Sequence, residues 1–178
     1  MVISIDTMVA AWAVKKRATP GQESRLVMAE KFKKKLDGEG HRLILTSHVV
    51  GELLVGFSID AAAKELLVLR KNFFIQAYDT KAAAIAARLI SNTELVKWVR
   101  KETGFSRQII KVDIAVIASA IVGNAVQLIT DEKSFKALAQ GEIIVKTMEE
   151  FLDDGILISG IENNPACAQN LFPDFEVD

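Results

Sequence analysis

The apolar residues of this chain fall into short β-branched runs that alternate with longer segments of helical periodicity. Five such runs predict strands: Val2–Ile5, Leu43–Thr46, Phe73–Ala77, Val126–Thr130 and Glu142–Lys146. Helical patterns separate them and continue to about Phe151. Short apolar strands that alternate with helices are typical of a parallel sheet covered on both faces. The pattern therefore predicts an α/β fold with a parallel sheet of about five strands.

Capping signals predict where several helices begin and end. Ser47 and Asp60 are placed to cap the two helices that follow the second strand. Ser91–Glu94 has the pattern of a capping box that starts a fresh helix. A further helix is predicted over Arg107–Val122, where Gly123 ends it.

Length and composition describe an ordinary soluble domain. The chain has 178 residues, of which 50% are hydrophobic and 25% charged, which excludes fibrous and fully disordered classes. A single Cys167 and two histidines exclude a disulfide framework, a zinc finger or an iron–sulfur site. The N-terminus lacks the positive region of a signal peptide, and no apolar stretch is long enough to span a bilayer. We therefore expect a cytoplasmic protein with no membrane association.

The charges are distributed unevenly along the chain. Residues 1–146 hold all 22 Lys and Arg with 15 of the 23 acids, a net charge of +7, and the last 32 residues carry −8. A basic body indicates a polyanionic partner, and an acidic tail could mask that surface, although a solvated face and a solubilising tail explain the charges equally well. We expect a folded domain over residues 1–151 and an acidic C-terminal appendage over 152–178, whose apolar residues could also complete a homodimer interface.

Four carboxylates are expected at the same edge of the predicted sheet. Asp6 and Asp131 follow the first and fourth strands, and Glu52 and Asp113 lie on helices that flank the second and fourth strands. Ligand sites in such folds lie at the carboxyl ends of the strands. Clustered carboxylates are stable when a divalent cation binds them, and oxygen ligands without thiols suit Mg²⁺ or Mn²⁺. A cation held there could activate water and bind phosphate oxygens, which is the chemistry of phosphodiester hydrolysis.

Each of these acids also has a purely structural explanation. Asp113 lies on the apolar side of its helix, where an unpaired carboxylate costs several kcal/mol, so it binds a metal, pairs with a cation or caps a neighbouring helix. Glu52 could accept a hydrogen bond from His48, one turn earlier. Asp6 and Asp131 both precede helices and could be N-caps. Their joint placement favours a shared site.

Four segments in order resemble the PIN domain. They are Ile5-Asp6-Thr7, Ser47–Gly56, Val112–Ala120 and Leu128–Phe135, and the resemblance covers about residues 1–150. It implies a three-layer α/β/α sandwich and a metal-dependent ribonuclease that hydrolyses phosphodiester bonds of RNA. Many such proteins are toxins of bacterial toxin–antitoxin pairs, so the resemblance also implies a possible antitoxin-like protein partner.

The resemblance carries over Asp6, Glu52 and Asp113 as metal-binding and catalytic acids. The fourth acid is either Asp131 or Glu132. The family acid stands two residues after the strand-end threonine, at Glu132, but we prefer Asp131 as the catalytic acid because its side chain is shorter. Thr7 and Thr130 supply hydroxyls near the metal. Met8 departs from the Ser or Asn that the family often has, which keeps open a rival function, a catalytically inactive module that binds RNA or protein.

Basic residues supply candidate contacts for RNA. We assign nucleic-acid binding to Lys15, Lys16 and Arg17, and to Arg107 and Lys111 on the helix that carries Asp113. The alternative is that these are ordinary solvated side chains on exposed faces.

Overall fold

A computed structural model describes residues 1–154, which form a five-stranded parallel sheet in the order β3-β2-β1-β4-β5. The strands are β1 (Val2–Ile5), β2 (Arg42–Thr46), β3 (Phe74–Gln76), β4 (Gln127–Ile129) and β5 (Ile144–Lys146). In the central pairings Ile3 lies opposite Leu43 of β2 and Gln127 of β4. The predicted parallel sheet of five strands is confirmed.

Helices connect the strands. They are α1 (Thr7–Ala13), α2 (Glu23–Gly38), α3 (Ser47–Leu53), α4 (Ile59–Asn72), α5 (Thr80–Ser91), α6 (Thr93–Thr103), α7 (Arg107–Val122), α8 (Ser134–Leu138) and α9 (Met148–Asp153). The bounds predicted for α7 match those observed.

The sheet is the middle layer of the core. Helices α1, α2 and α9 pack together as one group, and α5 to α8 pack together as another. All three residues of β4 are buried, as are the last three of β1, because helices cover both faces of the central strands. Helix α7 alone buries eight residues against this core.

The order of the strands creates a crevice at one end of the sheet. From β1 the chain runs outward through β2 and β3, then returns to the other side of β1 for β4 and β5. The connections therefore diverge between β1 and β4, and ligands of open parallel sheets bind at the carboxyl ends of such strands. Asp6 and Thr130 are the residues that directly follow these two strands.

Three of the predicted helix caps are wrong. Thr46, not Ser47, caps α3, and the Ser47 hydroxyl instead accepts a hydrogen bond from the Tyr78 backbone N–H at 3.2 Å. Ser58 rather than Asp60 caps α4, and Asn92 alone caps α6 without a capping box. Adjacent polar residues satisfy the same local rule, so the point at which the preceding segment leaves its extended conformation decides which one caps the helix.

Helix α9 crosses the predicted boundary between residues 151 and 152. Its last turn is held by α2, where the Lys35 ammonium donates to the carbonyls of Phe151 at 2.8 Å, Leu152 at 3.2 Å and Asp154 at 2.8 Å. A cation at the C-terminal end of a helix is favourable because the last carbonyls are unpaired. The remainder of the acidic appendage lies outside the described residues.

Across residues 1–154, no helix is long and apolar enough to cross a membrane.

Candidate active site

Asp6 lies at the crevice between β1 and β4 and is 5% exposed. Its Oδ1 accepts a hydrogen bond from the Val9 backbone N–H at 2.8 Å, so Asp6 caps α1, and its Oδ2 accepts one from the Thr130 hydroxyl. Burial raises the pKa of Asp6 to about 6, against the lowering effect of these hydrogen bonds. The carboxylates of Asp131 and Glu132 raise it further, so both acids after β4 lie near Asp6.

Glu52 extends from α3 toward the start of α1. Its Oε2 accepts a hydrogen bond from the Thr7 hydroxyl, the residue next to Asp6. The alternative partner, His48, instead packs edge-on against Tyr78 with ring centroids 5.0 Å apart. Thr7 therefore fixes the position of the exposed Glu52 side chain beside β1.

The pKa of Asp113 on α7 is raised further than that of Asp6, chiefly because its carboxyl is buried. Burial raises its pKa to about 7, and the carboxylates of Glu132, Glu52 and Asp6 add to that effect in this order. Its Oδ2 is buried and has no hydrogen-bond partner within residues 1–154. The structure therefore brings Asp113 together with acids from three other segments, and no cation of residues 1–154 pairs with it.

The two acids after β4 have different surroundings. The Glu132 backbone N–H donates to Thr130 Oγ1 at 2.9 Å, and the Glu132 carboxylate raises the pKa of both Asp6 and Asp113. Asp131 instead lies 3.0 Å from the guanidinium of Arg25 and close to Glu149. Burial raises the pKa of Asp131 although Arg25 opposes that shift. Glu132 is thus the acid electrostatically coupled to Asp113.

Arg25 is a residue of this site that the sequence interpretation missed. It lies in the first turn of α2, pairs with Asp131 and Glu149, and covers the Trp12 ring at 5.6 Å. A cation in the first turn of a helix is repelled by the partial positive charge of the helix N-terminus. Such a placement is the signal that could have indicated a carboxylate partner for Arg25.

The carboxylate oxygens of the site are ligands that suit a hard divalent cation, although in the observed positions they do not surround a single point. Among residues 1–154, no group of three carboxylate, imidazole or thiol side chains could hold a metal ion in the observed positions. Because the carboxylates repel one another, they favour positions in which their oxygens stay apart. The chemistry nevertheless fits, because the candidate donors are all carboxylate oxygens and the buried Asp113 Oδ2 lacks a hydrogen-bond partner among residues 1–154.

The basic residues assigned to RNA binding fall into two classes. Lys15 pairs with Glu65 of α4, and its side chain is only 11% exposed. Lys16 and Arg17 are exposed beside it, and Arg17 lies 5.8 Å from the Phe57 ring. Arg107 and Lys111 are exposed on α7, and neither forms an ion pair with another described residue. Among these five residues, the positive charge that is not paired with a described carboxylate therefore lies at Lys16, Arg17, Arg107 and Lys111.

The fold is similar to that of chains in solved VapBC complexes. Against VapBC2 from Rickettsia felis, bound to a DNA fragment from its promoter, the identity is 18% and the TM-score 0.53, covering 83% of this chain and 98% of that chain. Against VapBC-1 from nontypeable Haemophilus influenzae the identity is 15% and the TM-score 0.56, and the match covers 84% of this chain and 99% of that chain. Against DNA-bound VapBC from Salmonella typhimurium the identity is 17% and the TM-score 0.55, and the match covers 83% of this chain and 98% of that chain.

These likenesses establish the fold. VapC toxins are PIN domain proteins, and the chain has the PIN-like α/β fold that its sequence predicts. No family model matches the chain, and no curated protein matches it in sequence.

Proposed function

We propose that this protein is a Mg²⁺- or Mn²⁺-dependent ribonuclease that hydrolyses phosphodiester bonds in single-stranded RNA. The observation that supports the proposal most is that the carboxylates of Glu132, Glu52 and Asp6 all raise the pKa of Asp113. These acids come from four separate segments, and Glu132 also raises the pKa of Asp6 at the crevice of the PIN-like sheet. A structural role for Asp113 would instead require a cation or an N–H partner for its buried Oδ2.

The residues have distinct roles in this proposal. Asp6 and Asp113 would bind the divalent cation, which supplies an activated water and charge stabilisation at the phosphate. Glu52 and Glu132 would complete the set of oxygen ligands. Thr7 holds Glu52 and Thr130 holds Asp6, so the two hydroxyls orient the carboxylates rather than react.

The substrate backbone would approach along the exposed cations. Arg107 and Lys111 are exposed on α7, the helix that carries Asp113, and can pair with phosphates of the RNA backbone. Binding should therefore weaken as the salt concentration rises.

The test is cleavage of a mixed-sequence single-stranded RNA with Mn²⁺, with Mg²⁺ and with excess EDTA. Asp113→Asn keeps the side-chain shape and removes the charge, so turnover should fall at least about 100-fold while RNA affinity changes little. Asp79→Asn is the matched control, because Asp79 caps α5 and is not among the carboxylates that raise the pKa of Asp6 or Asp113. Full activity of Asp113→Asn, or full activity in EDTA, would exclude this function.

The rival function is a module that binds RNA or protein without cleaving. It gains some support from Met8, an apolar residue that is 42% exposed directly after Thr7. Such a module would bind the RNA with no cleavage under any metal condition, so the same experiment separates the two functions.

We also propose that the protein pairs with an antitoxin-like protein. The support is its likeness in fold to chains of three VapBC complexes, two of which are bound to DNA. Co-expression with the product of a neighbouring gene, followed by size-exclusion chromatography, should give a complex and suppress cleavage. The same chromatography on the protein alone shows whether it is a homodimer.

A further inference from the structure

A cavity of about 500 Å³ lies beside the carboxylate site, between α6 and the loop that follows β4. Its apolar wall consists of Trp98, Val99 and Phe105. Glu132 lines the same cavity and is also coupled to Asp113. A cavity of this size can hold a nucleoside, and it opens next to the place proposed for the cleaved bond.

Trp98 is the feature of this cavity that needs an explanation. Its side chain is 53% exposed, whereas Trp12, the second tryptophan of the chain, is 4% exposed. Helix α6 buries Val96 and Val99 against the core, so Trp98 is not needed for that packing. An exposed indole at the edge of a cavity offers a flat surface on which a planar ring can stack.

The charges of the cavity exclude a phosphate as its occupant. Among residues 1–154, Glu102, Asp131 and Glu132 line it together with a single cation, Lys133, so these lining residues carry a net negative charge. Ser134 Oγ is buried at its wall and has no hydrogen-bond partner among residues 1–154. A neutral ring that presents hydrogen-bond donors suits these groups better than an anion does.

We propose that this cavity binds one unpaired nucleobase that carries an exocyclic amino group, such as cytosine. The base stacks on Trp98, and its amino group donates to the Glu102 carboxylate, as a carboxylate accepts from cytosine N4. Uracil presents a carbonyl oxygen at that position, so Glu102 repels it. The inference rests on the proposed ribonuclease function only in placing this base beside the cleaved bond.

The experiment uses free nucleosides, which contain no phosphate and need no metal. Cytidine presents an amino group to Glu102 where uridine presents a carbonyl oxygen. Each nucleoside is titrated into the protein at millimolar concentration in EDTA. The two indole N–H signals in ¹⁵N NMR spectra report on binding. Cytidine should shift the Trp98 signal and leave that of Trp12 unchanged, and uridine should bind several-fold more weakly. No shift of the Trp98 signal with either nucleoside would overturn the proposal.

Variants test the two contacts separately through the backbone signal of Ser134. Trp98→Ala should weaken cytidine binding about tenfold, whereas Leu67→Ala, which removes an exposed apolar side chain of α4, should have no effect. Glu102→Gln supplies an amide N–H and should shift the preference toward uridine. An unchanged preference in Glu102→Gln would refute the assignment of the amino group to Glu102.

The outcome is independent of catalysis. If metal-dependent cleavage fails while cytidine binds at Trp98, the base site stands and the ribonuclease proposal falls. If cleavage persists and no nucleoside binds, only the base site is refuted. If Trp98 is buried in a contact between two copies, size-exclusion chromatography gives a dimer that Trp98→Ala dissociates, which also refutes the base site.

Discussion

Arg25 and Asp131 form an ion pair across the two sides of the candidate site, with Arg25 Nη2 3.0 Å from Asp131 Oδ2. Arg25 belongs to α2, whereas Asp131 follows β4, so the pair ties a helix to the loop that also carries Glu132. The same guanidinium pairs with Glu149 of α9. Asp131 therefore has a cation as a partner and raises the pKa of Asp6, whereas Glu132 raises the pKa of both Asp6 and Asp113.

We expect Arg25→Gln to have opposite effects on stability and on metal binding. Loss of both partly buried ion pairs should lower the free energy of unfolding by about 1 kcal/mol in EDTA. Removal of a positive charge near the acids should strengthen Mn²⁺ binding several-fold. Arg88→Gln is the control, because Arg88 pairs with Glu142 away from the site. Calorimetric titration and denaturant unfolding measure the two quantities, and equal Mn²⁺ affinity in both variants would contradict the expectation.

The fourth acid can be identified by two amide substitutions. Glu132→Gln should reduce turnover at least about 100-fold, because Glu132 is coupled to Asp6 and Asp113. Asp131→Asn should reduce it less than about tenfold, since Arg25 already pairs with Asp131. Single-turnover cleavage with saturating Mn²⁺ measures both. The reverse order of effects would assign the fourth position to Asp131.

The metal-free protein should lose stability as the pH rises from 5 to 7. Asp6 and Asp113 have folded-state pKa values raised to about 6 and about 7 from the ordinary 3.8. In this window the folded state binds more protons than the unfolded state, so the free energy of unfolding falls as the pH rises. Between pH 5 and 7 the free energy of unfolding should fall by about 2 kcal/mol, a figure reduced to allow for solvent screening at the half-buried Asp113.

Asp113→Asn provides the control for this pH dependence. In this variant the free energy of unfolding should fall less steeply between pH 5 and 7. At pH 7 in EDTA the variant should be more stable than the parent protein. Addition of Mn²⁺ at pH 7 should stabilise the parent but not the variant. Urea unfolding at the two pH values measures these differences, and a parent that gains stability toward pH 7 would show the sign to be wrong.

Two glycines with different surroundings should respond oppositely to alanine. A Cβ at Gly123 would lie 2.6 Å from the Cδ1 atom of buried Ile44 and 3.3 Å from Gln76, so Gly123→Ala should destabilise by about 1–3 kcal/mol. Gly51 lies inside α3 with nothing within 4 Å, so Gly51→Ala should stabilise by about 0.5–1 kcal/mol. Thermal unfolding of both variants checks the contrast. Equal effects would mean that α7 does not pack closely on β2 at this point.

The sequence by itself determined the class of fold and the positions of most acids of the site. Strand and helix periodicity are local properties, and parallel connections bring the ends of the strands to one edge, so Asp6 and the acids after β4 are predictable there. The wheel position of Asp113 and the order of the four segments that resemble a PIN domain added the acid on α7. The five-stranded parallel sheet and the bounds of α7 confirm the predicted fold.

Only the tertiary structure distinguished neighbours that satisfy the same local rule. Asp131 and Glu132 both follow β4, but Arg25, more than 100 residues away in sequence, pairs with one and leaves the other facing Asp113. The cavity at Trp98 likewise forms from α6 and the loop after β4. Contacts between distant segments depend on how elements pack and on where each side chain points, and neither is encoded in hydrophobic periodicity, which records only which residues face the core.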